Sequence, residues 1–149
     1  MILNYMDCHL PLVLINNVLE CIKKVNSELG DYYKENIYQE ALNIELRGIG
    51  LASGTEVVVP IHYKGIYVGF ERADIVIYDK VGDNEPYVVM IIELKSQNSK
   101  LTTKEIVQLK KYLNNLKCET GILVNFYETP EIICITPETT EKIPYDTFR

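Results

Sequence analysis

The sequence predicts a mixed α/β domain in which helices flank a central mixed β-sheet. Three observations carry this reading. Apolar residues recur at helical spacing through the first third of the chain and at a period of two from about residue 55. The most apolar stretch, 87–95 (YVVMIIELK), reads as a central strand buried on both faces. A capped helix and further short strands follow it, so one strand pairing is made across a helical crossover.

Taken in order, a first helix is expected from about residue 8 to Leu29. Leu14, Val18, Ile22, Val25 and Leu29 draw one apolar stripe, Asp7 offers an N-cap, and Gly30 ends the helix. Pro11 is tolerable so near the start. A second helix is expected from about Lys34 to Arg47, with Ile37, Ala41 and Ile44 on one side and Gly48 and Gly50 closing it. Residues 55–63 (TEVVVPIHY) read as a strand in which Pro60 marks a bulge or an edge. Lys64-Gly65 is a turn signal, 66–70 and 72–78 read as a bent second strand, and Val81 to Pro86 is turn chemistry. After the central strand, Thr102 and Glu105 form a T-x-x-E capping box for a helix from about Thr103 to Leu116. Strands are expected at 120–126 and 131–136, and the residues after Pro137 read as irregular. The element order is therefore α, α, β, β, β, α, β, β.

With 149 residues, 47% hydrophobic and 24% charged, the chain has the length and composition of one globular domain spanning 1–149. Its net charge of -6 argues against binding nucleic acid by bulk electrostatics, while leaving room for a local basic patch. Cys8, Cys21, Cys118 and Cys134 form no CxxC pair, so core thiols in a reducing compartment are expected rather than zinc or disulfides. There is no basic region followed by an apolar core at the start, and the longest apolar run, Tyr87 to Ile92, is too short to span a membrane. A soluble intracellular protein, cytoplasmic or nuclear, is the expectation.

The chemistry concentrates in Arg72-Ala73-Asp74, in Glu93-Leu94-Lys95 and in Gln108-Leu109-Lys110-Lys111-Tyr112. Glu93 and Lys95 are two apart on a strand and so point to the same face. Charged groups at the end of the most apolar strand are costly unless paired or bound to a metal. Asp74 lies in the preceding strand, and if the two strands are neighbours it approaches Glu93. Two nearby carboxylates repel, and a divalent cation relieves that repulsion. Hard oxygen donors suit Mg²⁺ or Mn²⁺, which can polarise a phosphodiester and acidify a water. A nearby lysine can orient that water or offset developing charge. The bland alternative is a surface ion pair between Glu93 and Lys95, with Asp74 as a solvated strand residue.

These residues, with their neighbours, resemble the GxxExxY proteins of the PD-(D/E)XK nuclease superfamily. The resemblance runs from about Leu14 to Phe126. It takes in Val25 to Gly30, Glu35 to Leu42, Tyr63-Lys64-Gly65, Arg72-Ala73-Asp74, Ile92 to Lys95, Gln108-Leu109 and Leu123 to Phe126. It implies an αβββαβ core and a metal-dependent nuclease-like site. By position, Asp74 and Glu93 would bind metal, Lys95 would complete the triad, and Glu40 matches a glutamate that assists the metal. Gln108 and Tyr112 look like a supporting Q-x-x-x-Y element. Two positions depart from the pattern: Tyr32 replaces the signature glycine, and Ala73 stands where many nucleases of the superfamily have proline, as is usual for this family.

Outside this set, His9 and His62 are isolated and read as structural or surface residues. Glu35 and Tyr38 share a helix face, where capping or packing competes with a site role. Tyr32, Tyr33, Tyr63, Tyr67 and Tyr87 can stack on bases or pack against protein. Lys100, Lys104, Lys110 and Lys111 can meet phosphates or simply solvate a helix. Two functions compete. One is a Mg²⁺- or Mn²⁺-dependent nuclease acting on nucleic acid, DNA ahead of RNA. The other is a non-catalytic nucleic-acid- or protein-binding module on the same fold. The apolar and tyrosine content also admits a homodimer, with no interface marked in the sequence.

Overall fold

The computed structural model describes residues 2–79 and 82–145, with side chains from residue 12 onward. Helices α1 (Ile2–Leu29) and α2 (Glu35–Gly48) precede strands β1 (Ala52–Tyr63), β2 (Ile66–Asp79) and β3 (Tyr87–Lys95). Helix α3 (Thr103–Asn115) leads to β4 (Gly121–Asn125), β5 (Glu131–Ile135) and β6 (Thr140–Ile143). The strands form one six-stranded sheet whose spatial order is the chain order. Every neighbouring pair is antiparallel except β3 and β4, which are parallel and joined through α3. The mixed sheet and its helical crossover are those the sequence predicts.

The sheet is buried on both faces because its central strands are apolar at nearly every position. Met90, Ile92 and Leu94 of β3 pack with Val18, Ile22, Tyr38 and Leu42 of α1 and α2. Ile91, on the opposite face, packs with Leu109, Tyr112 and Leu113 of α3. Glu93 follows Ile91 by two and therefore occupies an α3-side slot. Gly121 lets α3 sit close: a Cβ there would come within 3.0 Å of Leu109 Cδ2 and 3.2 Å of Leu113 Cδ1. The capping box at the head of α3 is present, with the Thr102 N–H donating to Glu105 Oε2 at 3.0 Å.

The β1–β2 hairpin turns at Lys64-Gly65, with φ of 50° and 79°, the two left-handed residues that match strand twist. β1 is an edge strand with a register shift between Ile61 and His62, next to Pro60. Cys21, Cys118 and Cys134 are buried free thiols. No helix of the described residues is long and apolar enough to cross a membrane.

Several local expectations change. α1 begins at Ile2, so Asp7 and Pro11 lie inside it rather than at its start. The side chains of Asp7, Cys8 and His9 lie outside the described residues. On α2 the inward stripe is Tyr38, Gln39, Leu42 and Leu46, while Ile37 and Ile44 are exposed. Both stripes have helical spacing, and the one with a tyrosine and two leucines has more apolar surface to bury. Beyond Pro137 the chain is not wholly irregular: Thr140–Ile143 pairs with β5 as β6. Main-chain hydrogen bonding on the flank of β5 suffices for a strand whose side chains are largely exposed.

Candidate active site

Extrapolating the β2–β3 register, in which Ile75 faces Ile92 and Val76 faces Ile91, puts Asp74 opposite Glu93. The ladder stops at this point. Glu93 Oε2 accepts the Asp74 backbone N–H at 2.6 Å, and Asp74 Oδ2 accepts the Leu94 N–H at 2.8 Å. Each carboxylate thus serves a backbone amide of the opposite strand, taking a position that a main-chain carbonyl would hold in a continued ladder.

The β1 side of Asp74 is also broken. Thr55 pairs with Ile75 and Val57 with Ala73, leaving Glu56 opposite Asp74 at φ 52° without a ladder partner. Ile75 belongs to the core under α1 and α2, whereas Ala73 belongs to the core under α3. Residues two apart on a regular strand share a face, so β2 swivels at Asp74.

Electrostatics follow from this burial. Burial pushes the Glu93 carboxyl up to about 9, and the neighbouring Asp74 charge adds to the effect. Burial likewise pushes Asp74 up to about 6, with further contributions from Glu35 and Glu56, against the Leu94 N–H and Lys95. Lys95 lowers both groups, which places its ammonium within electrostatic reach of the pair. With both groups raised, the pair resists double ionisation unless a counter-charge is present.

A network from α3 reaches the same place. Gln108 Nε2 donates to the Tyr112 hydroxyl at 3.1 Å, and that hydroxyl donates to Glu71 Oε2 at 2.8 Å. The Tyr112 hydroxyl titrates well above the usual phenol range, through burial, the Glu71 bond and the Glu93 charge. Gln108 is therefore joined to Glu71 through Tyr112, and it is the Tyr112 hydroxyl that the Glu93 charge reaches.

The end of β3 is pinned. The Phe126 N–H donates to the Lys95 carbonyl at 2.8 Å. Buried Asn125, the register partner of Lys95, accepts the Gln97 N–H at 3.0 Å and donates to the Gln97 and Ser99 carbonyls at 3.1 and 3.0 Å. The loop after Lys95 is thereby tied to β4. Ser96 Oγ donates to the Tyr33 carbonyl at 2.6 Å, bringing the α1–α2 connection alongside.

The structure does not bring Glu40 to this cluster. Glu40 is exposed and lies about 200° around the helix from Tyr38 and from Leu42, both fully buried. The α2 carboxylate whose charge reaches Asp74 is Glu35, at the first turn and in angular line with the buried stripe. Its partner in the sequence pattern, Tyr38, is a packing residue. Tyr38 stacks on Phe126 with centroids 4.6 Å apart and donates to the Gly30 carbonyl at 2.6 Å. The sequence signal for Glu35 was its place one turn ahead of Gln39 and two ahead of Leu42. Glu56, Glu71 and Asn125 carried no comparable signal.

Among the described residues, no group of three or more His, Cys, Asp or Glu side chains is placed to hold a metal ion. A concavity of about 1020 Å³, lined by Leu14, Leu51, Ile77, Tyr87 and Val89 among others, lies at the opposite end of β3 from Glu93. It contains none of the carboxylates described above.

The family model of the PD-(D/E)XK nuclease superfamily matches residues 13–134. The chain belongs to the PD-(D/E)XK nuclease superfamily. The matched span runs from α1 into β5 and includes both strands that carry the carboxylate pair. The mixed sheet flanked by helices is consistent with the nuclease-like fold. Membership supports a nuclease-like function in general. Searches of curated proteins and of solved structures each returned no match.

Proposed function

We propose that residues 1–149 act as one nuclease domain that hydrolyses phosphodiester bonds in nucleic acid, DNA ahead of RNA, with Mg²⁺ or Mn²⁺. We assign the reaction to Asp74, Glu93 and Lys95 and place this chain with the GxxExxY proteins. The observation that carries the reading is the Asp74–Glu93 pair: a buried and a partly buried carboxyl, opposed across β2 and β3, both raised in pKa.

The donor set fits a hard divalent cation. Mg²⁺ is commonly held by one or two carboxylates and keeps several waters, so a third protein carboxylate in contact is not needed. Asp74 and Glu93 would hold the ion, with Glu35 in place of Glu40 as the third carboxylate around it. When bound, the cation would supply charge neutralisation at the phosphodiester and acidification of a water.

The chain's own groups have separate tasks. Lys95, two residues beyond Glu93 on the same strand face, would orient the attacking water and offset charge on the phosphoryl oxygens. Gln108 and Tyr112 hold Glu71 and so tie α3 to β2 three residues before Asp74. Asn125 keeps the strand end that bears Lys95 from fraying.

The binding-module reading draws on one observation, the net charge of -6. Calorimetric titration of Mg²⁺ or Mn²⁺ into wild type and Asp74→Ala separates the two. Saturable binding lost in the variant, together with metal-dependent cleavage, supports the nuclease. Nucleic-acid binding without metal dependence or cleavage supports the module.

A further inference from the structure

We infer that Tyr32 and Tyr127 form a stacking platform for an unpaired nucleobase at the end of β3, so that the strand bound there is single-stranded rather than duplex. This substrate class rests on the nuclease reading, because the platform is assigned to the strand that the carboxylate site would cut.

The two rings come from separate connections that meet at the end of β3. Tyr127 follows Phe126, whose N–H donates to the Lys95 carbonyl. Tyr32 precedes Tyr33, whose carbonyl accepts Ser96 Oγ at 2.6 Å. The rings meet edge-on at 84°, with centroids 6.0 Å apart. Asn125 is the register partner of Lys95. With strands about 4.8 Å apart and about 3.3 Å per residue, the Tyr127 backbone lies within roughly 12 Å of that of Lys95. About three stacked nucleotides at about 3.4 Å each span nearly that distance. From the other side, the Glu35 charge reaches Asp74, and Tyr32 lies just ahead of Glu35 in the α1–α2 connection.

Tyr32 is held outward at a cost. Its backbone is left-handed at φ 74°, which a side-chain-bearing residue adopts only under strain, and its side chain is 78% exposed. Burial therefore does not offset the strain. The edge contact to half-buried Tyr127 limits the freedom of the exposed ring, so a base stacking on it loses less conformational entropy.

Charge decides which part of a nucleic acid approaches. The charges of Glu128 and Asp31 both reach Tyr127, and the chain as a whole carries -6. Duplex binding draws chiefly on phosphate contacts with lysine and arginine, which carboxylates beside the rings oppose. Stacking needs no such contacts, since every base has a π-face. In a duplex those faces are covered by the neighbouring bases, and only an unpaired base offers one.

Fluorescence anisotropy of a labelled oligothymidylate with the full chain in EDTA measures binding without cleavage. Tyr32→Gly, which relieves the left-handed backbone and so should still fold, should weaken binding about fivefold or more, the lower end of what one stacked base contributes. Tyr127→Leu should do the same, and Tyr32→Phe should keep wild-type affinity. A strand of equal length made of abasic sites should bind weakly and alike to all four proteins. The oligothymidylate annealed to its complement should also bind weakly. Absence of binding, variants that match wild type, equal affinity for abasic and base-bearing strands, or a preference for duplex would overturn the platform. Cleavage in Mg²⁺ or Mn²⁺ is read separately. Base-dependent single-strand binding without cleavage keeps the platform and sinks the nuclease, whereas cleavage with binding indifferent to Tyr32 and Tyr127 keeps the nuclease and sinks the platform.

Discussion

The Glu93 carboxylate accepts the backbone N–H of Asp74 at 2.6 Å, directly across the point where the β2–β3 ladder ends. With the Asp74 side chain returning to Leu94 N–H, two acidic side chains stand in for main-chain carbonyls. The carboxyls are thereby held close, Glu93 buried and Asp74 partly so, and in need of a proton or a cation.

Stability should fall as pH rises. Both groups have folded-state pKa values above their unfolded ones, Asp74 at about 6 and Glu93 at about 9. Their contribution is fully present below the unfolded values near 4 and is lost as pH rises through the folded ones. Glu93→Gln mimics the protonated acid and keeps an acceptor for the Asp74 N–H. Denaturant unfolding should show it more stable than wild type by over about 1 kcal/mol at pH 9, and equal at pH 4. A parallel pH profile for the two proteins would contradict this.

Metal binding should reverse that loss. Mg²⁺ or Mn²⁺ requires both carboxyls ionised, so binding at neutral pH should release about one proton and raise Tm. The Tm shift should grow from pH 6 toward pH 9. Calorimetry in buffers of different ionisation enthalpy measures the proton count. No thermal shift at millimolar metal would count against the site.

Lys95→Ala should lower cleavage about a hundredfold to a thousandfold while leaving metal affinity nearly unchanged, because a charged lysine is a poor ligand for a hard cation. Asp74→Ala should lose metal binding and activity together. Equal trace activity in Lys95→Ala and wild type would mark that activity as contamination.

Glu35→Gln and Glu40→Gln separate the two glutamates of α2. Glu35→Gln removes a charge that raises Asp74, so it should lower that group's pKa and weaken metal binding several-fold. Glu40→Gln, on the exposed side, should leave both unchanged. The carboxyl resonances of Asp74 followed by NMR titration read the first effect directly.

Tyr32, between α1 and α2, has φ 74° and is 78% exposed. A left-handed backbone costs a side-chain-bearing residue about 1–2 kcal/mol and costs glycine little. Tyr32→Gly loses an edge contact to Tyr127 at a centroid distance of 6.0 Å. Net stabilisation of up to about 1 kcal/mol is expected by denaturant unfolding. A destabilised variant would show that the tyrosine contact outweighs the backbone strain.

Much of this protein is written in local pattern. The alternation that sends Glu93 and Lys95 to one face, the apolar run that buries Glu93, the capping box before α3 and the stripe of α1 need only neighbouring residues. The same local rules failed where two answers were equally periodic. On α2 the stripe through Ile37 and Ile44 and the stripe through Tyr38 and Leu42 both have helical spacing. Only packing against the sheet chose the second, and with it Glu35 over Glu40. The swivel of β2 at Asp74, with Glu56 left-handed opposite, likewise depends on strands that meet far apart in sequence. Residue types and their spacing thus determined which groups could do chemistry. The tertiary structure decided which of them meet, because strand register and helix rotation are set by side chains from distant segments competing for the same buried volume.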